Sequence, residues 1–170
     1  MKRQCGGCTL CCRLMPIPPL NKLANVKCEF ARHGKGCTVH DTAQQPNACK
    51  VWHCRWLLND DAEKLSRPDR AHYVIDMLPD EINIIDQATG EKKRYMAIQV
   101  WVDPKLPDAW REDREFYEWV KRKADNGFPT LLRINDGENR QGIGLLAPSI
   151  TGKDWQIVGG TINMNMGLWK

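Results

Sequence analysis

Residues 5–12 read Cys-Gly-Gly-Cys-Thr-Leu-Cys-Cys, and this stretch carries the strongest structural signal in the chain. It holds four of the eight cysteines, and the other four are Cys28, Cys37, Cys49 and Cys54. None occurs in the 116 residues after Cys54. Cysteines that served only as core packing would be scattered along the chain, so this clustering calls for a chemical reason.

Metal coordination is the reason that the sequence favours, with disulfides and free buried or redox-active thiols as the alternatives. Met1-Lys2-Arg3 is followed by no apolar stretch of the kind that secretory signals carry, so we expect a cytoplasmic protein. Thiols stay reduced in that compartment, which favours metal binding over disulfides. No run approaches the ~18 apolar residues of a membrane helix, and we expect no membrane association.

The spacing of the cysteines fits both zinc and iron. Cys5 and Cys8 are separated by two glycines, which allow backbone amides to turn toward sulfur, and Cys11 follows at the same spacing. Three cysteines spaced in this way with a distant fourth can hold a [4Fe–4S] cluster, whereas zinc sites more often pair two separate knuckles. Cys12 is adjacent to Cys11, and neighbouring side chains point in different directions. Either they serve two sites, or one of them is not a ligand.

The distal cysteines complete a second set of four. Cys28, Cys37, Cys49 and Cys54, added to Cys5, Cys8, Cys11 and Cys12, suffice for two Zn²⁺ ions or for one cluster and one zinc. Three histidines lie near them in sequence and can substitute for a thiolate: His33, His40 and His53.

This pattern resembles a known family. The matching elements are Cys5-x2-Cys8-x2-Cys11-Cys12, Cys28-Glu29-Phe30, Cys37-Thr38-Val39-His40 and Pro46-x2-Cys49-x4-Cys54. They are similar to the CxxCxxCC signature of the YkgJ-type cysteine-cluster proteins, which are described as zinc- or iron-chelating. The resemblance covers residues 5–54 and implies that all eight cysteines bind metal, but it implies no reaction. The chain departs from the family at Gln45, where arginine is usual, and at His40, where tyrosine is usual.

Charge is uneven along the chain. The first 60 residues carry a formal charge of +6 and the remainder −2. Eight metal-bound thiolates and two zinc ions would reduce the first value to about +2. The basic residues are also scattered rather than grouped, so no specific nucleic-acid partner is expected. The sequence identifies no protein partner.

The two parts of the chain differ in composition, which predicts a cysteine-rich module at residues 1–66 and an α+β domain at residues 67–170. The second part reads as an antiparallel sheet of five or six strands with one long helix at 107–126. The strand that ends at Val102 has apolar residues on both faces, which predicts a central position. We also expect a short helix at 51–65 and a turn at Pro79-Asp80.

Three functions remain open at this point. The first is a metal-binding protein, holding zinc or iron through clustered thiolates. The second is a zinc-stabilised module that binds protein or nucleic acid. The third is a metal-dependent enzyme with a site between the two parts, which would need an open coordination position. No P-loop, dinucleotide-binding, HExxH or GxSxG motif occurs in the sequence.

Overall fold

The computed structural model describes residues 3–85, 89–135, 141–148 and 155–162. Its helices are α1 (Leu10–Leu14), α2 (Asn47–Val51), α3 (Arg55–Leu58), α4 (Pro68–Ala71), α5 (Ala109–Glu112) and α6 (Arg114–Asp125). Short 3₁₀ turns occupy Pro18–Leu20 and Asp60–Ala62. The strands are β1 (Ala31–Arg32), β2 (Gly36–Cys37), β3 (Tyr73–Ile85), β4 (Lys92–Val102), β5 (Thr130–Asn135), β6 (Gln141–Pro148) and β7 (Trp155–Ile162).

Strands β3 to β7 form one sheet in sequence order, and β1 and β2 form a separate two-stranded hairpin. Each neighbouring pair in the large sheet is antiparallel except β4 and β5, which are parallel. The parallel pair arises because α5 and α6 carry the chain back along the sheet before β5 begins, as a parallel connection requires. The expected α+β class is confirmed, with this one departure from an antiparallel sheet.

Strand β4 lies between β3 and β5, as its two apolar faces predict. On one face, Val100 packs with Tyr73 of β3 and Leu132 of β5 against α6. On the other face, Trp101 packs with Val74 against α1. Because both faces are covered, residues 97–102 are all buried, with α6 on one face and α1 on the other.

The cysteine-rich part is attached to the sheet through α1. Leu10 and Leu14 are buried against Val74 and Trp101. Arg13 forms an ion pair with the buried carboxylate of Asp103, directly after β4. A leucine side chain removed from water contributes about 1.5–3 kcal/mol, so this apolar contact is a substantial part of the attachment.

The predicted single helix at 107–126 is wrong in its first part. The chain forms the short α5, leaves helical geometry at Asp113 and restarts as α6. The Asp113 side chain accepts a hydrogen bond from the Phe116 amide at 3.0 Å, which makes it the N-cap of α6. Its other carboxylate oxygen accepts the Tyr73 hydroxyl at 2.7 Å. The end of the helix is as predicted, since Gly127 follows it with φ +84°.

Two other local predictions are also wrong. Pro79 and Asp80 are part of β3, which continues through a register shift between Met77 and Glu81 instead of turning. Proline is tolerated there because β3 is an edge strand of the sheet. The expected helix at 51–65 is interrupted twice. The backbone is extended at Cys54, between α2 and α3, and again at Asn59, between α3 and the 3₁₀ turn.

Within the described ranges, every helix is too short or too polar to cross a lipid bilayer.

Candidate metal centre

Four cysteines, which we call the first quartet, surround a small cavity where the start of the chain meets the sheet. The lining consists of Cys5, Cys8, Cys11 and Cys54 together with Trp56, Pro68 and Val74. Its volume is about 10 Å³, roughly the space of a single water molecule. Four sulfurs therefore border an apolar space of atomic size.

The remaining cysteines, Cys12, Cys28, Cys37 and Cys49, form a second quartet. Cys28 packs with Cys12 and Cys49 in a cluster of its own around Ile17. The Cys28 amide also donates a hydrogen bond to the Cys12 carbonyl at 2.9 Å. Burial raises the pKa of Cys37 and of Cys49, and the negative charges of Cys12 and Cys28 raise both further.

Helix α1 distributes its two adjacent cysteines between the quartets. Successive side chains on a helix point about 100° apart, so Cys11 contacts the cluster at the sheet while Cys12 contacts the cluster around Ile17. Their sulfurs remain 4.0 Å apart, which places the two quartets side by side. Sequence order suggests grouping Cys54 with the distal cysteines, but the structure places it in the first quartet and Cys12 in the second.

The thiols differ in how readily they ionise. The hydrogen bond between the two sulfurs raises the pKa of Cys11 and lowers the pKa of Cys12 to about 7. Burial raises the pKa of Cys54 to about 11 and also raises the pKa of Cys5 and Cys8. The thiolate is the metal ligand, so an ion that binds here must displace protons from most of these sulfurs.

Backbone amides reach several of the sulfurs. The Leu10 amide hydrogen-bonds Cys8, the Val39 amide hydrogen-bonds Cys37 and the Leu57 amide hydrogen-bonds Cys54. Each of these bonds lowers the pKa of its thiol, because it stabilises the ionised form. At Cys8 the amides are those of Leu10 and Asp69, not those of the two glycines that the sequence indicated.

The glycines between Cys5 and Cys8 have a different role, which is close backbone packing. Gly6 has φ +52°, and the Cys8 amide closes the turn on the Cys5 carbonyl at 3.0 Å. A Cβ on Gly7 would lie only 2.5 Å from the carbonyl oxygen of Gly34, in the β1–β2 hairpin. The hairpin that carries Cys37 is thus pressed against the turn that carries Cys5 and Cys8.

A salt bridge borders the first quartet. Arg67 donates two hydrogen bonds to the Asp69 carboxylate, at 2.6 and 2.7 Å. The guanidinium lowers the pKa of Cys5 and Cys8, and the Asp69 charge raises that of Cys8. The positive charge beside the first quartet is therefore already balanced by a carboxylate.

Gln45, one of the two departures from the pattern that the chain resembles, is buried beside the second quartet. Its carbonyl oxygen accepts from the Asp41 amide at 2.8 Å, and its amide nitrogen donates to the Cys49 carbonyl at 3.1 Å. A neutral side chain thus connects these two backbone segments. The sequence contains no signal for the position of Arg67 beside the first quartet.

The three candidate histidines lie at the surface. His33, His40 and His53 are exposed, and His40 pairs with Asp41 at 3.0 Å. As the side chains stand, no three His, Cys, Asp or Glu groups in the described part of the chain are close enough to hold an ion. Loading would draw the sulfurs of a quartet together, to the ~2.3 Å at which zinc binds thiolate. The donor set of each quartet, four sulfurs, fits zinc or iron rather than magnesium or calcium.

A larger pocket, of about 220 Å³, lies between α3, the sheet and α6. Its lining consists of Arg55, Asn59, Met77, Ile98, Trp119, Lys123 and Phe128. Lys123 is paired with Asp61, and none of these lining residues is a cysteine. A molecule bound in this pocket would therefore contact no cysteine of either quartet.

Comparisons of the chain with protein-family models, with curated proteins and with solved structures gave no match. The similarity to the YkgJ-type cysteine-cluster proteins rests on the cysteine spacing and stays a prediction.

Proposed function

We propose that this protein binds two thiophilic metal ions, one in each cysteine quartet. The observation that supports the proposal most directly is the separation of the eight cysteines into two groups of four. Four thiolates complete the coordination of a tetrahedral ion, so each site would use all four of its cysteines as ligands. The resemblance of residues 5–54 to metal-chelating proteins agrees with this proposal.

Zinc is the ion that we infer for the first quartet. The cavity among its sulfurs has the volume of about one water molecule, which suits a single ion better than a cube of four iron and four sulfide atoms. Four protein ligands leave no position for a substrate, so the inferred role is structural rather than catalytic. Zinc would hold the cysteine-rich module against the sheet, in addition to the apolar contacts that α1 and α3 make there.

The test is the metal content of protein purified without oxygen, measured for the wild type and for one variant of each quartet. Two ions per chain are expected in the wild type, and one in Cys54→Ser and in Cys37→Ser. The double variant should retain none. Serine supplies a harder and poorly ionised oxygen, so affinity for zinc or iron should fall steeply.

Thr38→Ser is the matched control. It lies next to Cys37 and keeps the hydroxyl group that bonds the Phe30 carbonyl, so two ions should remain. A wild-type protein that holds no metal would contradict the proposal. So would a double variant that retains one ion, because both single variants would then have lost the same ion. A brown protein absorbing near ~400 nm would contradict zinc and indicate an iron–sulfur cluster.

A further inference from the structure

Lys22 is buried, and its surroundings are unusual for a lysine. Its exposed fraction is 7%, and its ammonium donates to three backbone carbonyls, those of Arg13, Met15 and Leu23. No carboxylate among the described residues forms an ion pair with it. Burying a charge without an opposite charge is costly, so a buried ammonium of this kind calls for a negative partner.

The nearby groups that can supply that charge are cysteines. Burial lowers the pKa of Lys22, whereas the negative charges of Cys28, Cys12, Cys11 and Cys49 raise it. Three of these four belong to the second quartet. In the other direction, the ammonium lowers the pKa of Cys12 and of Cys49. The geometry places Lys22 beside the same cysteines. Its ammonium donates to the carbonyl of Arg13, the residue after Cys12, and its backbone pairs with Ile17, around which Cys12, Cys28 and Cys49 cluster. Lys22 and the second quartet are therefore neighbours.

The two quartets differ in this respect. Beside the first quartet, the Arg67 guanidinium is already paired with Asp69. Beside the second quartet, the described carboxylates leave the Lys22 ammonium unpaired. Four thiolates around a divalent ion carry a net charge of −2, and beside the second quartet the buried Lys22 ammonium can offset part of that charge.

We propose that Lys22 is the counter-ion of the second metal site and sets its affinity for a divalent ion. This assignment rests on the proposed function. The ammonium makes the four-thiolate state less costly in the low-polarity interior, and the loaded site in turn provides the opposite charge that the ammonium lacks. Groups that support metal ligands from outside the coordination shell typically contribute about 10- to 100-fold to metal affinity.

The experiment isolates each site before changing Lys22. Cys54→Ser protein reports the second site alone, and Cys37→Ser protein reports the first. In each background, zinc affinity is measured by competition with a chelator for Lys22→Met and Lys22→Gln. Glutamine removes the charge but keeps donors for the carbonyls of Met15 and Leu23. The Lys22→Gln variant therefore still tests the loss of the charge if Lys22→Met does not fold.

Both variants are expected to weaken zinc binding at the second site by about 10- to 100-fold and to leave the first within about threefold. The control Lys27→Met removes an exposed positive charge on the same segment and should change neither site. Equal weakening at both sites, or unchanged affinity at the second, would overturn the assignment while leaving two-metal binding intact. A wild-type chain that binds no zinc would overturn the proposed function, and the assignment with it.

Discussion

Replacing Gly7 with alanine tests the contact between the Cys5–Cys8 turn and the β1–β2 hairpin. The new Cβ would lie 2.5 Å from the Gly34 carbonyl oxygen, and ordinary contact begins at 3.4 Å. The two backbones must therefore separate by about 0.9 Å, and neither partner is a flexible side chain. Metal–ligand distances tolerate changes of only ~0.2 Å, so the proposed ligands on both sides of the contact should be displaced.

The expected cost of this overpacking is about 1–3 kcal/mol. For a chain of this length, that lowers the melting temperature by about 2–12 °C. We also expect Gly7→Ala to release zinc faster to a chelator, because the contact joins Cys5 and Cys8 of one quartet to Cys37 of the other. Melting is followed by circular dichroism, and zinc release by a colorimetric chelator.

Gly34→Ala is the control for the same contact. Its Cβ would meet nothing within 4 Å, so the only cost is the left-handed backbone at φ +70°, about 1–2 kcal/mol. Its melting temperature should fall, while zinc release stays close to that of the wild type. If Gly7→Ala melts and releases zinc like the wild type, the packing of the turn against the hairpin is not as described.

Three further outcomes are expected. Removing the metal should abolish hydrogen-exchange protection in residues 5–54 but not in residues 73–135, which have their own apolar core; unchanged protection in 5–54 after verified removal would refute this. Tyr73→Phe should lower the free energy of unfolding, measured with denaturant, by about 1.5–3 kcal/mol, since it removes a hydrogen bond to a carboxylate that also caps α6. A decrease below about 0.5 kcal/mol would argue against that bond. Leu14→Ala and Leu132→Ala each truncate a fully buried side chain and should lower the free energy of unfolding by about 2–5 kcal/mol, but only Leu14→Ala should also accelerate zinc release. Equal release rates in the two variants would show that the packing of α1 does not retain the metal.

Several features follow from the sequence because their causes are local. The two apolar faces of β4 predict its central position, and Asn126-Gly127 predicts the end of α6, since only glycine adopts the required left-handed backbone at little cost. The spacing of Cys5 and Cys8 predicts that they lie together, and the adjacency of Cys11 and Cys12 predicts that they diverge.

Other features depend on partners that are distant in sequence. Asp113 interrupts the predicted helix because Tyr73, forty residues earlier, and the Phe116 amide share its carboxylate. Pro79 remains in a strand because the sheet places β3 at an edge, where a missing amide donor does not break a ladder.

The composition of each quartet was likewise decided by the tertiary structure. Sequence order alone associates Cys54 with the distal cysteines, yet the extended backbone at Cys54 brings its sulfur to the cavity beside the sheet. The burial of Lys22 near the other quartet has no counterpart in local sequence either. Spacing determines which sulfurs can be close when a few residues separate them. For longer separations, the packing of α1 against the sheet and of the hairpin against the Cys5–Cys8 turn selects the partners.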